Sequence, residues 1–222
     1  MDNNVKQTIF KKIEKTGKAL ESNNMKFYYA ETSTQAKDIV ESLLSEGETI
    51  ANGGSMTLDE CGIMALLRSG KYNFLDRNAC PPEKVQEVYH QAFSCDTYLC
   101  SANAITENGE LYNVDGNGNR VACLIYGPKQ VIVVAGYNKL VKDIPSAIDR
   151  VKNLSAPANT IRLNCNTYCS KTGECVSMKK DNPSIADGCT SDSRICCSYV
   201  ISAKQRIKDR IKVIIVAESL GY

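Results

Sequence analysis

The sequence predicts a three-layer α/β domain built on a mostly parallel sheet, and two observations support that prediction. First, apolar segments of strand length alternate with segments that have the roughly 3.6-residue period of an amphipathic helix. Such alternation is typical of a parallel sheet covered by helices on both faces. Second, a chain of 222 residues, 43% hydrophobic and 23% charged, is long and apolar enough to form one domain with a substantial core.

The first half of the chain alternates between helix and strand patterns. A helix is predicted over about 3–22, where Val5, Ile9 and Ile13 recur at helical spacing. Strands are predicted at 25–32, 48–55 and 72–76, and further helices at 33–47, 57–70 and 81–95. In the helix over 57–70, Thr57 is the predicted N-cap and Glu60 is its capping-box partner.

The second half continues the alternation with one interruption. Strands are predicted at 96–106, 121–127, 130–136 and 210–219, a helix at 142–157, and a turn-rich connection at 107–120. The segment 164–198 breaks the pattern because it has few apolar residues and no clear period. Such a segment seldom folds by itself, so we expect something else to hold it in place.

Charge and apolar patterning narrow the function classes. The formal net charge is +2 and no long basic run is present, so no nucleic-acid partner is predicted. The longest apolar runs, VIVVAG and VIIVAES, are far shorter than the ~20 residues of a membrane helix, so no membrane partner is predicted either. No signal peptide is visible, which predicts a cytoplasmic protein with reduced thiols.

A glycine-rich turn at residues 51–60, ANGGSMTLDE, is the first candidate ligand loop. A predicted strand runs into Gly53, Gly54 and Ser55, and a helix starts near Thr57. Glycines let the backbone approach a ligand closely, and the N–H groups of a helix N-terminus favour a phosphate or carboxylate. The alternative is a plain strand-to-helix turn with a capping threonine.

A polar segment at residues 101–120 is the second candidate loop. Its predicted ligand contacts are Asn103, Asp115, Asn117 and Arg120. Glycines within DGNGNR permit positive φ, and Asp115 with Arg120 could form either a charge pair or an acid beside an anion clamp. The alternative is a polar hairpin with a surface ion pair.

Several of these segments resemble one known family. The segments GGSMTLDECGI, YNFLDR, NAITENGELYNVDGNGNRVACLIYGPKQVIVVAGYNKLV, APANTIRLN and IKVIIVAESLGY resemble LUD-domain proteins, the family of the lactate-utilisation protein C, over nearly the whole chain, 1–222. The resemblance implies the fold of the ribose-phosphate isomerase and CoA-transferase superfamily. In sugar-phosphate isomerases of that superfamily a similar element carries glycine and aspartate where this chain has Ser101 and Asn103, and an amide cannot act as a base.

The segment 164–198 contains six of the eleven cysteines and no histidine. It is similar to a cysteine-rich subgroup of LUD proteins with the pattern C-x-x-T-G-x-C…D-C-x-S-x-x-R-I-C. That resemblance implies ligation by Cys169, Cys175, Cys189 and Cys196. Residues 176–188 are an insertion relative to the subgroup. For Cys165 and Cys197, a spare thiol and an alternate ligand are both open.

Four thiolates can hold a [4Fe–4S] cluster or a zinc ion. Structural zinc usually takes C-x2–4-C pairs, which these four cysteines lack, so their longer and irregular spacings favour the cluster, with zinc as the alternative. A third possibility is that these cysteines form disulfides or remain free thiols. The remaining cysteines are predicted to be small buried hydrophobes: Cys61, Cys80, Cys95, Cys100 and Cys123.

The family resemblance implies organic-acid metabolism, with oxidation of L-lactate to pyruvate alongside iron–sulfur partner subunits. We therefore predict a protein of that metabolism that binds a small carboxylate or phosphate and an iron–sulfur cluster, with partner subunits or a second copy of itself. Two alternatives stay open. One is an isomerase or transferase acting on a small phosphorylated molecule, with structural zinc. The other is a non-enzymatic partner subunit.

Overall fold

The computed structural model describes residues 2–222. The strands in chain order are β1 (Lys26–Ala30), β2 (Thr49–Asn52), β3 (Asn73–Leu75), β4 (Thr97–Cys100), β5 (Ala104–Thr106), β6 (Leu111–Asp115), β7 (Gln130–Gly136), β8 (Leu140–Val141), β9 (Ser198–Ser202) and β10 (Ile211–Val216). The α-helices are α1 (Asn3–Ser22), α2 (Ser33–Ser42), α3 (Met56–Glu60), α4 (Ile63–Leu67), α5 (Val85–Ala92), α6 (Asn119–Ile125), α7 (Ile144–Arg150), α8 (Ala156–Arg162) and α9 (Tyr168–Thr172).

The larger sheet has six strands in the order β1-β10-β7-β4-β2-β3, and every neighbouring pair is parallel. Strand β10 lies between β1 and β7, with Lys212 opposite Lys26 and Ile211 opposite Val131. All carboxyl ends of these strands therefore meet at one edge of the sheet, where ligands bind in folds of this kind.

Helices cover both faces of this sheet. Along β10, Val213 packs in the same buried cluster as Ile13 of α1, whereas Ile214 packs with Val40 of α2 on the other face. This alternation follows from the two-residue period of a strand, and an almost continuous apolar run is what a strand buried on both faces requires. The predicted three-layer, mostly parallel α/β fold is confirmed.

A second sheet has four strands in the order β8-β5-β6-β9. Here β6 is antiparallel to both β5 and β9, and β8 is parallel to β5. The turn between β5 and β6 docks on the end of α1, where Asn23 Nδ2 donates hydrogen bonds to the carbonyls of Asn108 (2.9 Å) and Gly109 (3.2 Å). Gly109 has φ +77°, and a Cβ added there would lie 2.6 Å from the backbone of Ala19.

The structure corrects several predicted elements. Residues 121–127 were predicted as a strand, but 119–125 form helix α6. The Asp115 carboxylate accepts hydrogen bonds from the N–H groups of Gly118 (3.1 Å) and Val121 (3.3 Å), which fixes the start of this helix. Its apolar residues, including Val121 and Leu124, are buried on one face of the helix. The same apolar pattern is compatible with a strand, which explains the wrong prediction.

Three other boundaries differ from prediction. The helix predicted over 57–70 is two short helices, α3 and α4, because Gly62 adopts a left-handed conformation with φ +69°. The strand predicted over 96–106 is divided between β4 of the large sheet and β5 of the small sheet. The connection predicted over 107–120 contains β6, and β9 lies at the end of the cysteine segment.

The helix predicted over 142–157 extends to 162 through a π-helical turn, Val151–Ser155. Pro157 follows this turn, and because proline has no N–H it cannot donate the regular helical hydrogen bond. The local π turn accommodates that missing donor. Val151 and Ser155 in the turn both line the main cavity of the protein, described next.

Candidate functional site

A cavity of about 490 Å³ lies at the carboxyl ends of the large sheet. Gly54 follows β2, Ser101 follows β4 and Lys139 follows β7, so three strands each deliver a residue to its wall. The two loops predicted from the sequence meet here. Gly54, Ser55, Asn103, Asp115, Asn117 and Arg120 all line the cavity. Gly53 and Thr57 do not line it. Gly53 packs against the side chain of Arg120, and Thr57 contacts Lys139, and both of those side chains line the cavity.

The charged lining of this cavity is mainly basic. Its basic side chains are Arg77, Arg120, Lys139 and Arg162, and its one acidic side chain is Asp115. Asp115 already pairs with Arg120, at 3.6 Å between Oδ2 and Nε. Within residues 2–222, Arg77, Lys139 and Arg162 form no salt bridge with a carboxylate. Uncompensated positive charge in a partly enclosed space favours an anionic ligand.

Arg120 is held by the protein and has little left to offer a ligand. Its Nη1 donates to Ser101 O (3.1 Å) and Asn113 Oδ1 (2.6 Å). Its Nη2 donates to Asn103 Oδ1 (2.9 Å) and Val114 O (2.7 Å). A guanidinium has five N–H donors, and these contacts engage four of them, while Nε forms only the 3.6 Å ion pair with Asp115. Arg120 therefore supplies charge to the cavity and joins the two sheets, and its geometry is that of a structural group.

Asn103 has a structural contact pattern as well. Its Oδ1 accepts hydrogen bonds from the N–H of Val114 (2.9 Å) and from Arg120. These bonds tie the turn after β4 to strand β6. The side chain lines the cavity but fixes its shape, as expected for an amide in place of an acid.

Gly54 brings the backbone close to Arg77. A Cβ at Gly54 would lie 2.6 Å from Arg77 Nη2, so only glycine lets this guanidinium rest on the loop. Arg77 also lies over the ring of Tyr89, 5.8 Å from its centroid, and donates to the Tyr89 hydroxyl (3.4 Å). Sequence reasoning missed Arg77. Its position shortly after β3 was the available signal, since residues after parallel strands face the ligand edge.

The prediction that Thr57 is a helix N-cap is wrong. Ser55 caps α3, and its Oγ accepts a hydrogen bond from the N–H of Leu58 (3.3 Å). Thr57 is fully buried, donates to the carbonyl of Leu220 (3.3 Å) and accepts from Lys139 Nζ (3.0 Å). The N-cap lies two residues earlier than the sequence pattern predicts, so Thr57 is inside the helix and is buried.

Lys139 is the most unusual group of the cavity, and sequence reasoning missed it. It is 3% exposed, and its Nζ contacts the hydroxyls of Thr57 and Ser101, each at 3.0 Å. Burial, with Arg150 and Arg120 nearby, lowers the pKa of Lys139 to about 7. The signal in the sequence was its place in GYNK, directly after the apolar strand VIVVAG.

The stability of the apo protein is expected to rise by about 2 kcal/mol from pH 7 to pH 9 because of Lys139. The folded pKa, about 7, lies below the unfolded value of about 10.4. Between those values the unfolded chain binds the extra proton, so raising the pH favours folding. Urea unfolding of the wild type and Lys139→Met at both pH values measures this. The difference between the two proteins should change by about 2 kcal/mol, and a constant difference would contradict it.

Three buried donors beside the cavity have no hydrogen-bond partner: Tyr98 Oη, Asn113 Nδ2 and Arg150 Nη2. Tyr98 Oη lies 3.1 Å from a Cβ placed at Gly53, and Asn113 contacts Arg120. Arg150 donates through Nη1 to Asn103 O (2.6 Å) and to Ser155 Oγ, and burial lowers its pKa to about 10. Buried polar groups normally have partners, but none of these three residues lines the cavity, so they do not add to its ligand contacts.

The four predicted ligand cysteines surround one smaller cavity. Cys169, Cys175, Cys189 and Cys196 all line it, and no histidine does. Hydroxyls lie beside two of the sulfurs: Thr167 Oγ1 is 3.4 Å from Cys169 Sγ, and Ser177 Oγ is 3.2 Å from Cys175 Sγ. The space at the centre is about 20 Å³, which is enough for about one water molecule.

Two basic side chains, the buried Lys152 and the half-buried Arg194, hold the loops around these thiols. Lys152 Nζ donates to Ser177 Oγ (3.0 Å) and to the carbonyls of Ser184 (3.0 Å) and Asp187 (3.1 Å), so it anchors the insertion 176–188. Arg194 donates to the carbonyls of Cys196 (2.8 Å), Cys189 (3.2 Å) and Ala186 (2.7 Å). Both side chains line the cysteine cavity, where their positive charge can offset that of thiolates.

The two cavities share part of their walls. Cys196, Ile195, Val151 and Ala156 line both of them. The segment after Cys196 is held by β9, which pairs with β6, and the N–H of Cys197 donates to the carbonyl of Asp115 (3.0 Å). One face of the Ile195–Cys196 segment therefore borders the cysteine cavity and the other borders the basic cavity.

The other cysteines divide into three groups. Cys61, Cys95, Cys100 and Cys123 are buried in the sheet core, as predicted, and burial raises the pKa of each thiol, that of Cys100 to about 11. Cys80 is only half-buried. Cys165 is half-buried and Cys197 is exposed, and neither lines the cysteine cavity. None of the eleven cysteines forms a disulfide.

Within residues 2–222, no group of three or more histidine, cysteine, aspartate or glutamate side chains is placed to hold a single metal ion. No helix in this part of the chain combines the length and the apolar character needed to cross a membrane.

Comparisons with known proteins give the family of this chain and several solved structures that are similar to it. Three solved structures share parts of the arrangement at low similarity. A DUF162 family protein from Deinococcus radiodurans has 11% identity and TM-score 0.48, over 95% of this chain and 98% of that one. The eIF2B delta of Chaetomium thermophilum has 17% identity and TM-score 0.34, over 50% of this chain and 49% of that one. Ribose 5-phosphate isomerase from Plasmodium falciparum has 19% identity and TM-score 0.31, over 50% of this chain and 52% of that one.

No curated protein matches the chain. The family model of the LUD domain matches residues 13–216, which is nearly all of the structure described above. The chain therefore belongs to the LUD-domain family.

Proposed function

We propose that this LUD-domain protein acts in organic-acid metabolism of the lactate type, binds a small carboxylate or phosphate in the basic cavity and carries a [4Fe–4S] cluster on Cys169, Cys175, Cys189 and Cys196. The observation that carries the proposal is the shared wall. Four cysteines line one cavity, and one of them, Cys196, also lines the basic cavity.

The all-thiol donor set fits a cluster or a zinc ion, and the long, irregular spacings of the four cysteines favour the cluster. All four candidate ligands are thiols that line one small cavity. The four iron corners of a cubane lie apart, so its cysteines need not converge on one point. The space between the thiols is about 20 Å³, so a cubane would require the loops that carry the four cysteines to move apart.

The chain's own residues would tune such a group. A bound cluster supplies one-electron transfer, and its potential depends on hydrogen bonds to the sulfurs and on the surrounding charge. The hydroxyls of Thr167 and Ser177 lie within reach of two cysteine sulfurs, and Lys152 and Arg194 place positive charge beside the site. Ile195 and Cys196 separate the site from the basic cavity and keep the two close together.

The basic cavity fits a small anion. Arg77 and Arg162 line it without forming a salt bridge to a carboxylate of residues 2–222. Charge-assisted hydrogen bonds from arginine suit carboxylates and phosphates alike. Iron–sulfur partner subunits and self-association stay predictions.

The cluster half of the proposal is tested by anaerobic purification followed by iron and acid-labile sulfide analysis. We expect about four irons and about four sulfides per chain, and visible absorption that bleaches with dithionite. A colourless protein with about one zinc per chain, whose chelation unfolds the chain, would instead establish the zinc alternative.

Replacing Arg77 by methionine is expected to weaken binding of L-lactate, pyruvate or inorganic phosphate about tenfold, which corresponds to about 1.4 kcal/mol for a lost charge-assisted hydrogen bond. Arg162→Met should act similarly, because that side chain lines the same cavity. Isothermal titration calorimetry measures both.

The matched control is Arg206→Met, since Arg206 is exposed and does not line the cavity. It should bind like the wild type. Equal affinity for all four proteins would reject the basic cavity as the anion site, and no binding of any of the three anions by the wild type would reject the anion half of the proposal.

A further inference from the structure

Lys139 stands apart from the other basic side chains of the cavity because its nitrogen is enclosed by hydroxyls. Its Nζ contacts Thr57 Oγ1 and Ser101 Oγ, each at 3.0 Å, and makes no salt bridge with a carboxylate of residues 2–222. A buried ammonium normally has an acidic partner, because the cost of removing a charge from water is large. The surroundings of Lys139 are those of a neutral amine.

The hydroxyl protons of Thr57 and Ser101 are directed away from Lys139. Thr57 Oγ1 donates to the carbonyl of Leu220 (3.3 Å), and Ser101 Oγ donates to the carbonyl of Ala102 (3.4 Å). Each hydroxyl oxygen is then an acceptor toward Lys139. A neutral amine has two N–H donors and one lone pair, so these two acceptors use both donors and leave the lone pair free. The cavity is the space that this nitrogen lines.

The charged groups around Lys139 agree with this geometry. Arg150 and Arg120 repel a proton on Nζ, whereas Glu60 and a Cys100 thiolate would attract one. Desolvation adds to the repulsion and is the largest effect, so the pKa falls to about 7. About half of the lysines are then unprotonated at neutral pH. Amines in this state are the nucleophiles of Schiff-base enzymes.

We infer that Lys139 is a nucleophile that forms an imine with a small 2-oxo acid bound in the basic cavity. This inference rests on the proposed anion-binding function and narrows its substrate class. The lone pair of Nζ attacks the carbonyl carbon and forms the C–N bond. The two amine protons leave with the carbonyl oxygen as water, so that amine and oxo acid give imine and water with no change of oxidation state.

The rest of the cavity suits a molecule with a carboxylate beside a carbonyl. Arg77 and Arg162 offer positive charge to the carboxylate, while Ser101, which lines the cavity and contacts Lys139 Nζ, can pass protons between nitrogen and oxygen.

The test is reductive trapping of the full-length protein with pyruvate and cyanoborohydride. Hydride reduces an imine to a stable secondary amine, so each trapped chain gains the mass of one N-carboxyethyl group. We expect one adduct per chain, and peptide mapping should place it on Lys139. Prior addition of L-lactate, which has the carboxylate but no carbonyl, should slow the trapping by occupying the cavity.

Lys152 is the internal control, because it is 5% exposed but has its donors engaged by Ser177, Ser184 and Asp187. It should carry no adduct. Lys139→Arg keeps the charge and should abolish trapping while pyruvate still raises Tm. Mapping of the wild type decides the question even if a variant fails to fold.

The inference is overturned if pyruvate raises Tm or binds by calorimetry but Lys139 carries no adduct, or if adducts form only on exposed lysines. In that event the proposed anion site would stand without the covalent step. If neither pyruvate nor lactate binds and no adduct forms, the proposed function and the inference both fail.

Discussion

Replacing Cys196 by serine is expected to reduce the iron content from about four per chain to below one. Cys196 is half-buried, lines the cysteine cavity and is held in place because Arg194 donates to its carbonyl. Serine has a similar size, but its oxygen is a poor ligand for a soft iron site. Iron and sulfide analysis of anaerobically purified protein measures the loss.

Cys197→Ser is the matched control for this experiment. Cys197 is the next residue in the chain, but it is exposed and does not line the cysteine cavity. The control should keep its full complement of iron. If Cys197→Ser loses iron and Cys196→Ser keeps it, the ligand assignment is wrong, and the spare thiol would have to replace Cys196.

Replacing Gly109 by alanine is expected to destabilise the protein by about 3 kcal/mol. The left-handed backbone costs a side chain roughly 1–2 kcal/mol, and overpacking adds about as much again. The second cost arises because the new Cβ would lie 2.6 Å from backbone atoms of Ala19 and Leu20 in α1. For a chain of this size the Tm should fall by about 10 °C, measured by calorimetry.

Gly47 provides the control for Gly109. It has nearly the same backbone conformation, φ +75°, but nothing lies within 4 Å of an added Cβ. Gly47→Ala should therefore cost only the conformational part, about 1 kcal/mol or roughly 3 °C. Equal losses for both variants would show that the contact between α1 and the β5–β6 turn has no energetic weight.

The fold class could be predicted because strand and helix periods are local signals. Segment 130–136 has the continuous apolar run of a strand buried on both faces, and it is one. The failure at 121–127 has an equally local cause. Val121, Cys123 and Leu124 satisfy either element, and the decision comes from the Asp115 carboxylate, which caps the helix from a neighbouring strand.

The candidate site was predictable in position and less so in role. Both polar loops reach one cavity because parallel strands share an edge. The role of Arg120 was not predictable, since its partners Asn103, Asn113 and Ser101 are brought to it by two different sheets. The role of Lys139 was not predictable for the same reason. A lysine after a strand is common, and only the folded structure shows that this one is buried and contacts two hydroxyls.

The position of β10 between β1 and β7 affects when the large sheet can be completed. Its partners are β1 and β7, and the pair Lys26 and Lys212 are close in space but far apart in sequence. During synthesis, β1 and β7 each expose an unpaired edge until residue 216 has emerged from the ribosome. Contacts this distant in sequence slow folding, and open parallel edges invite association with other chains. The segment with the six clustered cysteines is complete before that point, so its thiols emerge while the sheet is still open.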